Sequence, residues 1–178
     1  MLRPTWGELS FQQDMIRLEK YYSCFLSKNE FKLYQLAASK VLDYLSKSKK
    51  SMHNFGLIHA DLHVGNLVFR NEDPSPIDFA RCGFGYYLYD LAQLFMGGLY
   101  PIHRQIVFQG YESIRKLDND YIQALECFCV MACIEGYSIH ASNPRETANL
   151  KEQQPYAQAL IRNYLNGAPF LFNPIEIG

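Results

Sequence analysis

Residues 56–92 read GLIHADLHVGNLVFRNEDPSPIDFARCGFGYYLYDLA, and every motif in the chain that suggests chemistry lies within this stretch. His59, Asp61 and Asn66 are spaced as H-x-D-x-x-x-x-N and are followed by a β-rich run, Leu67–Phe69. This spacing places three polar side chains in a loop directly before a predicted strand. We expect the loop and the strand to form the functional centre of the fold.

A β-hairpin is predicted downstream of this loop. Residues 70–76 read RNEDPSP, a run of turn-forming residues, and they separate the first β-rich run from a second, IDF at 77–79. Two antiparallel strands of similar length would bring Asn66 and Asp78 to the same open end, beside Asp61. We therefore expect two carboxylates and an amide oxygen to converge there.

Such a set of oxygens suits Mg²⁺, which takes one or two protein ligands and fills its other positions with phosphate and water. Phosphoryl transfer uses this arrangement because positioning and charge neutralisation do most of the catalytic work. Protein kinases carry the same loop spacing, with Asp as base and Asn on a metal, followed by D-F-G with Asp on a metal. Here the third residue of the later triplet is Ala80. The residues therefore favour Mg²⁺-dependent phosphoryl transfer.

HADLHVGN at 59–66, followed by PIDFARCGFGYYLYDLA at 76–92, resembles the aminoglycoside phosphotransferase and choline kinase-like family. The catalytic lobe of that family is related to that of protein kinases. The resemblance implies that Asp61 is the catalytic base, that Asn66 and Asp78 are Mg²⁺ ligands, and that ATP is the phosphate donor.

Three further polar residues of the motif have structural interpretations. His59 is interpreted as a structural residue that packs its ring and hydrogen-bonds nearby backbone, and His63 as a loop residue facing solvent. Asp90 could be a helix N-terminal residue favoured by the macrodipole. Its neighbours Tyr89 and Leu91 indicate partial burial, however, and a buried carboxylate needs partners. We therefore favour the role that the resemblance implies for Asp90, which is to hold the catalytic loop in place.

The composition is that of a globular protein. The 178 residues are 48% hydrophobic and 20% charged, with a formal net charge of −1. This length predicts one domain over residues 1–178. The nearly neutral charge gives no basic field for nucleic acid or an anionic membrane, so a small-molecule partner is favoured.

The predicted location is the cytoplasm, without a membrane span. The longest apolar run, Cys127–Ile134, is far shorter than the roughly 20 residues of a spanning helix. The N-terminal residues, MLRPTWGELS, lack the apolar core of a signal peptide. The odd number of cysteines also favours a reducing compartment. Cys127, Cys129 and Cys133 share one predicted helix and are interpreted as small core residues rather than metal ligands.

Helices account for most of the remaining chain. Ser10 with Gln13, and Ser27 with Glu30, are possible capping boxes at helix starts. Helices are predicted from these starts and over residues 88–96, 102–117, 121–140 and 156–165, with a loop over 143–155. The predicted fold class is α+β and mostly α-helical: the large lobe of the protein-kinase-like fold, with a small β-hairpin at the active site.

The N-terminal nucleotide-binding lobe of such a kinase is absent from the predicted elements. Only 58 residues precede His59, and they read as loop and helices, without a glycine-rich loop and lysine-bearing strand. Gly83-Phe84-Gly85 does not match a glycine-rich loop and is interpreted as a turn. A separate N-terminal lobe or self-association would cover the surface that this lobe normally contacts.

Three functions remain in competition. The leading hypothesis is a kinase lobe that transfers phosphate to a hydroxyl of a small molecule, with Glu112, Glu126 and Glu135 as acids available near the acceptor. The second is a non-catalytic fragment, truncated or split, that needs a partner lobe. The third, more remote, is a metallohydrolase, because His59, Asp61 and His63 alternate as metal ligands can.

Overall fold

The computed structural model describes residues 3–177, which contain seven α-helices, four short β-strands and three single-turn 3₁₀ segments. The helices are α1 (Glu8–Tyr21), α2 (Lys28–Lys47), α3 (Tyr87–Met96), α4 (Pro101–Ile114), α5 (Tyr121–His140), α6 (Thr147–Glu152) and α7 (Gln154–Asn166). The strands are β1 (Phe55–Ile58), β2 (Leu67–Arg70), β3 (Asp73–Pro76) and β4 (Gly83–Tyr86). The mostly helical fold class is confirmed.

Helix α5 is the centre of the hydrophobic core. It packs against α1, α2, α3 and α7. Because neighbours surround it, its buried side chains lie on all sides of the helix. By length and composition α5 could also cross a membrane, but 67% of its most apolar window is buried inside the fold. Cys127 and Cys129 are buried there as core residues, and burial raises the pKa of Cys127 to about 12.

The two helix starts differ in how well the sequence predicted them. At α2 the capping box is confirmed, since the Ser27 amide donates to Glu30 at 2.7 Å and the Glu30 amide donates to the Ser27 hydroxyl at 3.3 Å. At α1 the predicted cap is wrong. Gly7 is the cap and Ser10 lies one turn inside the helix, where its hydroxyl accepts from the Gly7 amide at 2.8 Å.

A two-stranded antiparallel sheet, β1 with β4, was missed by the sequence prediction. Its register pairs Phe55 with Tyr86 and Ile58 with Gly83. The interpretation of Gly83–Gly85 as a turn is wrong because glycine, which is rare in strands, is needed here for close packing. A Cβ at Gly83 would overlap the Pro4 carbonyl oxygen, and one at Gly85 would overlap the Ile58 side chain.

The predicted hairpin exists, but its turn is shorter than expected. Strands β2 and β3 pair from Leu67↔Pro76 to Arg70↔Asp73, so the turn is only Asn71-Glu72. Both turn residues have positive φ, 50° and 72°, as a tight hairpin turn requires. The second strand therefore comprises residues 73–76 rather than 77–79, and its prolines are tolerated because the strand lies at a sheet edge.

The C-terminal third is more helical than predicted. The expected loop over 143–155 contains α6 and the first two residues of α7. Buried Gln154 explains the early start of α7, because its side chain accepts from the Tyr34 hydroxyl at 2.9 Å and donates to the Leu150 carbonyl at 2.9 Å. These tertiary partners have no signature in the local sequence. Helix α4 ends at Ile114, before the predicted 117.

Candidate active site

The loop after β1 is tied to α3 by one carboxylate. Asp90 accepts the His59 amide at 2.8 Å on one oxygen and the Ala60 amide at 2.8 Å on the other. Ala60 is fully buried and has a φ of 62°, a left-handed conformation that alanine rarely adopts. Burial raises the pKa of Asp90, while the two backbone donors lower it. The carboxylate thus holds a strained segment of the loop.

His59 connects the loop to the segment just before Asp78. Its Nε2 lies 2.8 Å from the Ile77 carbonyl oxygen and donates to it, so the proton is on that nitrogen. The ring lies 4.6 Å from the Phe79 ring, centroid to centroid, and the residue is buried. The ring therefore fixes the approach of the hairpin's second strand to the loop.

Asp61 and Asn66 are joined within the loop. The Asn66 amide nitrogen donates to the Asp61 backbone carbonyl at 2.9 Å and lies 3.5 Å from its carboxylate. This bond assigns the nitrogen side of the buried Asn66 amide and leaves its oxygen without a donor among residues 3–177. The Asn66 carbonyl accepts the Ile77 amide at 2.9 Å, so Asn66 lies beside the segment that leads to Asp78.

Asp78 is exposed at the end of that segment. Its φ of 59° is left-handed, and one carboxylate oxygen accepts the Ala80 amide at 3.4 Å, while the other has no donor among the described residues. Free oxygens on Asn66 and Asp78 fit a hard cation that takes few protein ligands and completes its shell with phosphate and water.

The alternating His59, Asp61 and His63 do not form a metal site. His63 Nδ1 accepts the Gly65 amide at 3.1 Å, and His59 Nε2 is used by Ile77. Within residues 3–177 no group of three His, Cys, Asp or Glu side chains is arranged to hold a metal ion. A hydrolytic zinc centre is therefore not supported by the donor geometry.

A buried ionic cluster beside the loop was not assigned by the sequence. Arg81 pairs with Glu135 of α5, which is 1% exposed. On α1, buried Asp14 accepts from Arg17 at 3.3 Å and from the Ser138 hydroxyl at 3.2 Å. Burial raises the pKa of Glu135 to about 8, and the charges of Asp14 and Asp61 add to that effect. The available signal was Asp14 itself, an acid at a core position of an amphipathic helix.

The other two acids proposed near the acceptor lie elsewhere. Glu112 is exposed on α4. Glu126 on α5 accepts the Phe170 amide at 3.4 Å, and burial raises its pKa. Of the three acids, only Glu135 lies in the ionic cluster beside the loop, and its carboxylate is paired with Arg81.

A cavity of about 660 Å³ lies away from this loop. Its lining includes Asn54, just before β1, and Tyr86, at the end of β4, so it opens at the end of the β1–β4 sheet opposite Asp61. The cavity is therefore separate from the residues that the sequence predicts for the site.

The sequence profile of the phosphotransferase enzyme family matches residues 17–125, which include the loop, the hairpin and Asp90. The chain belongs to the phosphotransferase enzyme family. The chain is also 31% identical over 101 residues to the amicoumacin kinase of Bacillus subtilis (strain 168). That alignment covers 56% of this chain and 27% of the relative.

Solved kinases share the fold of this chain. An amicoumacin kinase in complex with AMP-PNP and Ca²⁺ superposes with a TM-score of 0.68 at 16% identity, over 99% of this chain and 53% of that one. A microcompartment-associated aminopropanol kinase gives 0.71 at 23% identity, over 82% and 48%. These superpositions confirm the predicted kinase-like fold. The chain spans about half the length of each structure, which is consistent with the predicted large lobe.

Proposed function

We propose that this chain is the catalytic lobe of an ATP- and Mg²⁺-dependent kinase that phosphorylates a hydroxyl group of a small molecule. The observation that supports this most directly is that Asn66 donates to the Asp61 carbonyl and accepts the amide of Ile77, the residue before Asp78. Membership of the phosphotransferase family supports the reaction class.

In this proposal Asp61 orients the acceptor hydroxyl and accepts its proton, a role worth about 10²- to 10⁴-fold in rate. The free oxygens of Asn66 and Asp78 would hold Mg²⁺, which supplies charge neutralisation at the phosphates when bound. His59 and Asp90 position the loop through its backbone. Hydroxyl acceptors are favoured because the two named relatives are kinases of small molecules.

The test is calorimetric titration of the chain with ATP in the presence of Mg²⁺. We expect binding that is lost in Asp78→Ala, because that variant removes a metal ligand without touching the core. Asp73→Ala is the matched control, since Asp73 is an exposed carboxylate in β3 of the same hairpin. Equal binding by the Asp78→Ala protein would contradict the assigned metal site.

A second candidate function is a non-catalytic unit that needs a partner lobe. Its support is that the chain spans 53% and 48% of the two solved kinases. Exposed apolar side chains also lie beside the site: Leu57 on β1, Phe84 on β4, and Phe69 and Phe79 around the hairpin. This candidate predicts no ATP binding by the chain alone and recovery of binding when a nucleotide lobe is added.

We place the protein in the reducing cytoplasm, in keeping with its free, mostly buried cysteines.

A further inference from the structure

Arg81 has one edge of its guanidinium unused. Its Nη2 donates to Glu135, and its Nε is buried without a partner among the described residues. Nη1 also has no hydrogen-bond acceptor within residues 3–177, and the side chain keeps 24% of its surface exposed. An arginine fork can make two parallel hydrogen bonds, so the edge formed by Nη1 and the second hydrogen of Nη2 can donate to an oxyanion.

The orientation of that edge is fixed from two sides. The Arg81 guanidinium carbon lies 4.4 Å from the centroid of the Trp6 ring, and the Trp6 indole donates to the Arg81 carbonyl at 2.9 Å. Glu135, which is almost fully buried on α5, holds the other edge. Arg81 therefore needs little reorganisation to bind a ligand, which reduces the entropic cost of binding.

The buried acids around Arg81 are already neutralised inside the fold. Glu135 is paired with Arg81, and Asp14 accepts from Arg17 and Ser138. Burial lowers the pKa of the Arg81 guanidinium, while the negative charges of Asp61 and Asp14 act in the opposite direction. A free ammonium group on an acceptor would thus meet a cation here, and apart from Asp61 it would find no unpaired acid in this cluster.

From this geometry we infer that the open edge of Arg81 is a subsite for an oxyanion of the acceptor, next to the hydroxyl that Asp61 orients. The acceptor class is then a hydroxy acid or a phosphorylated alcohol rather than a polyamine. The assignment to the acceptor rests on the proposed kinase function, whereas the oxyanion subsite itself does not.

The test is an NMR titration of the ¹⁵N-labelled full chain, without nucleotide or metal, that observes the Arg81 Nε–H and the Asp61 amide. Glycolate and ethanolamine form a matched pair. Both are two-carbon alcohols, but glycolate carries a carboxylate and ethanolamine carries an ammonium group. Titration with inorganic phosphate shows whether the subsite binds a phosphate group rather than a carboxylate group. We expect saturable shifts with glycolate, phosphate or both, and none with ethanolamine.

The decisive variant is Arg81→Gln combined with Glu135→Gln, because it replaces the buried ion pair with a neutral hydrogen-bonded pair and leaves no lone charge in the core. The Asp61 amide should then respond to the anions at least tenfold more weakly. Arg17→Gln removes another cation of the same cluster and should retain the affinity within about twofold. Among the residues that the structure describes, Arg17 pairs with Asp14 and Ser138 alone.

Three results would overturn the inference: no anion shifts in the unaltered chain, unchanged anion shifts in the double variant, or ethanolamine shifts at Asp61 that exceed those of glycolate. ATP titration remains an independent experiment. Anion binding at Arg81 without ATP binding would support the subsite. It would contradict the proposal that this lobe acts as a kinase alone. ATP binding without any anion effect at Arg81 would overturn the subsite and leave the kinase function standing.

Discussion

Asp90 shows how a single residue can determine the shape of a loop. Its two carboxylate oxygens each accept one backbone amide at 2.8 Å, from His59 and from the left-handed Ala60. Within residues 3–177 neither amide has another partner that could replace the carboxylate. The conformation of the loop that carries Asp61 therefore depends on a residue about thirty positions away, on the first turn of α3.

We expect Asp90→Asn to lower the free energy of unfolding by about 1–3 kcal/mol, because the amide NH₂ would face one of the two backbone donors. Urea denaturation measures this change. Asp43→Asn is the control, since the Asp43 carboxylate is 62% exposed in a surface pair with Lys47 and should change stability by less than about 0.5 kcal/mol. Equal effects of the two substitutions would show that Asp90 does not hold the loop.

At the scale of elements, strand β4 depends on glycine for its position. It is flanked by β1 on one side and by the N-terminal segment on the other, where Trp6 donates to the Phe84 carbonyl at 2.7 Å and Phe84 donates to the Pro4 carbonyl at 2.9 Å. The Pro4 backbone carbonyl approaches Gly83 so closely that no side chain would fit there. The position of Arg81, two residues before this strand, follows from this packing.

Gly83→Ala should therefore destabilise the protein by about 1–3 kcal/mol, because its new methyl group would meet the rigid Pro4 backbone. Gly110→Ala is a matched substitution in exposed α4, where an added Cβ contacts nothing within 4 Å. It should stabilise the fold by about 0.5–1 kcal/mol through helix propensity. Chemical denaturation of both variants gives the comparison, and a tolerated Gly83→Ala would refute the close-packing explanation.

At the scale of the whole molecule, an apolar surface lies beside the candidate site. Leu57 and Phe84 are cross-strand partners on the outer face of the β1–β4 sheet and are 57% and 46% exposed. Phe69 and Phe79, around the hairpin, are 61% and 53% exposed. Exposed aromatic and aliphatic groups of this kind are typical of surfaces that bind a partner, and we predict that role here.

We expect the chain alone to self-associate through this surface, and the combination Leu57→Ser with Phe84→Ser to weaken association at least about tenfold, since two large apolar groups are removed. Sedimentation equilibrium measures the change. Ile114→Ser is the control, because Ile114 is 92% exposed on α4 and is not part of the surface. A monomer at all concentrations, or equal effects of both changes, would exclude this surface from self-association.

The sequence by itself determined the local parts of the site. The H-x-D-x-x-x-x-N loop, the hairpin after it and the family resemblance could all be predicted, because the bonds that form them join residues close in the chain. The Asn66–Asp61 hydrogen bond spans only five residues. Helix α5 was predicted with its observed limits because apolar character over a long segment is a strong signal.

Only the tertiary structure decided the rest. The Arg81–Glu135 pair joins residues 54 apart, and the Asp14–Ser138 bond joins residues 124 apart. Sheet β1–β4 and the start of α7 likewise depend on distant partners. Local propensity carries no information about such contacts, because their free energy comes from burial and pairing that exist only once the helices have packed. The oxyanion subsite at Arg81 was accordingly absent from the sequence prediction.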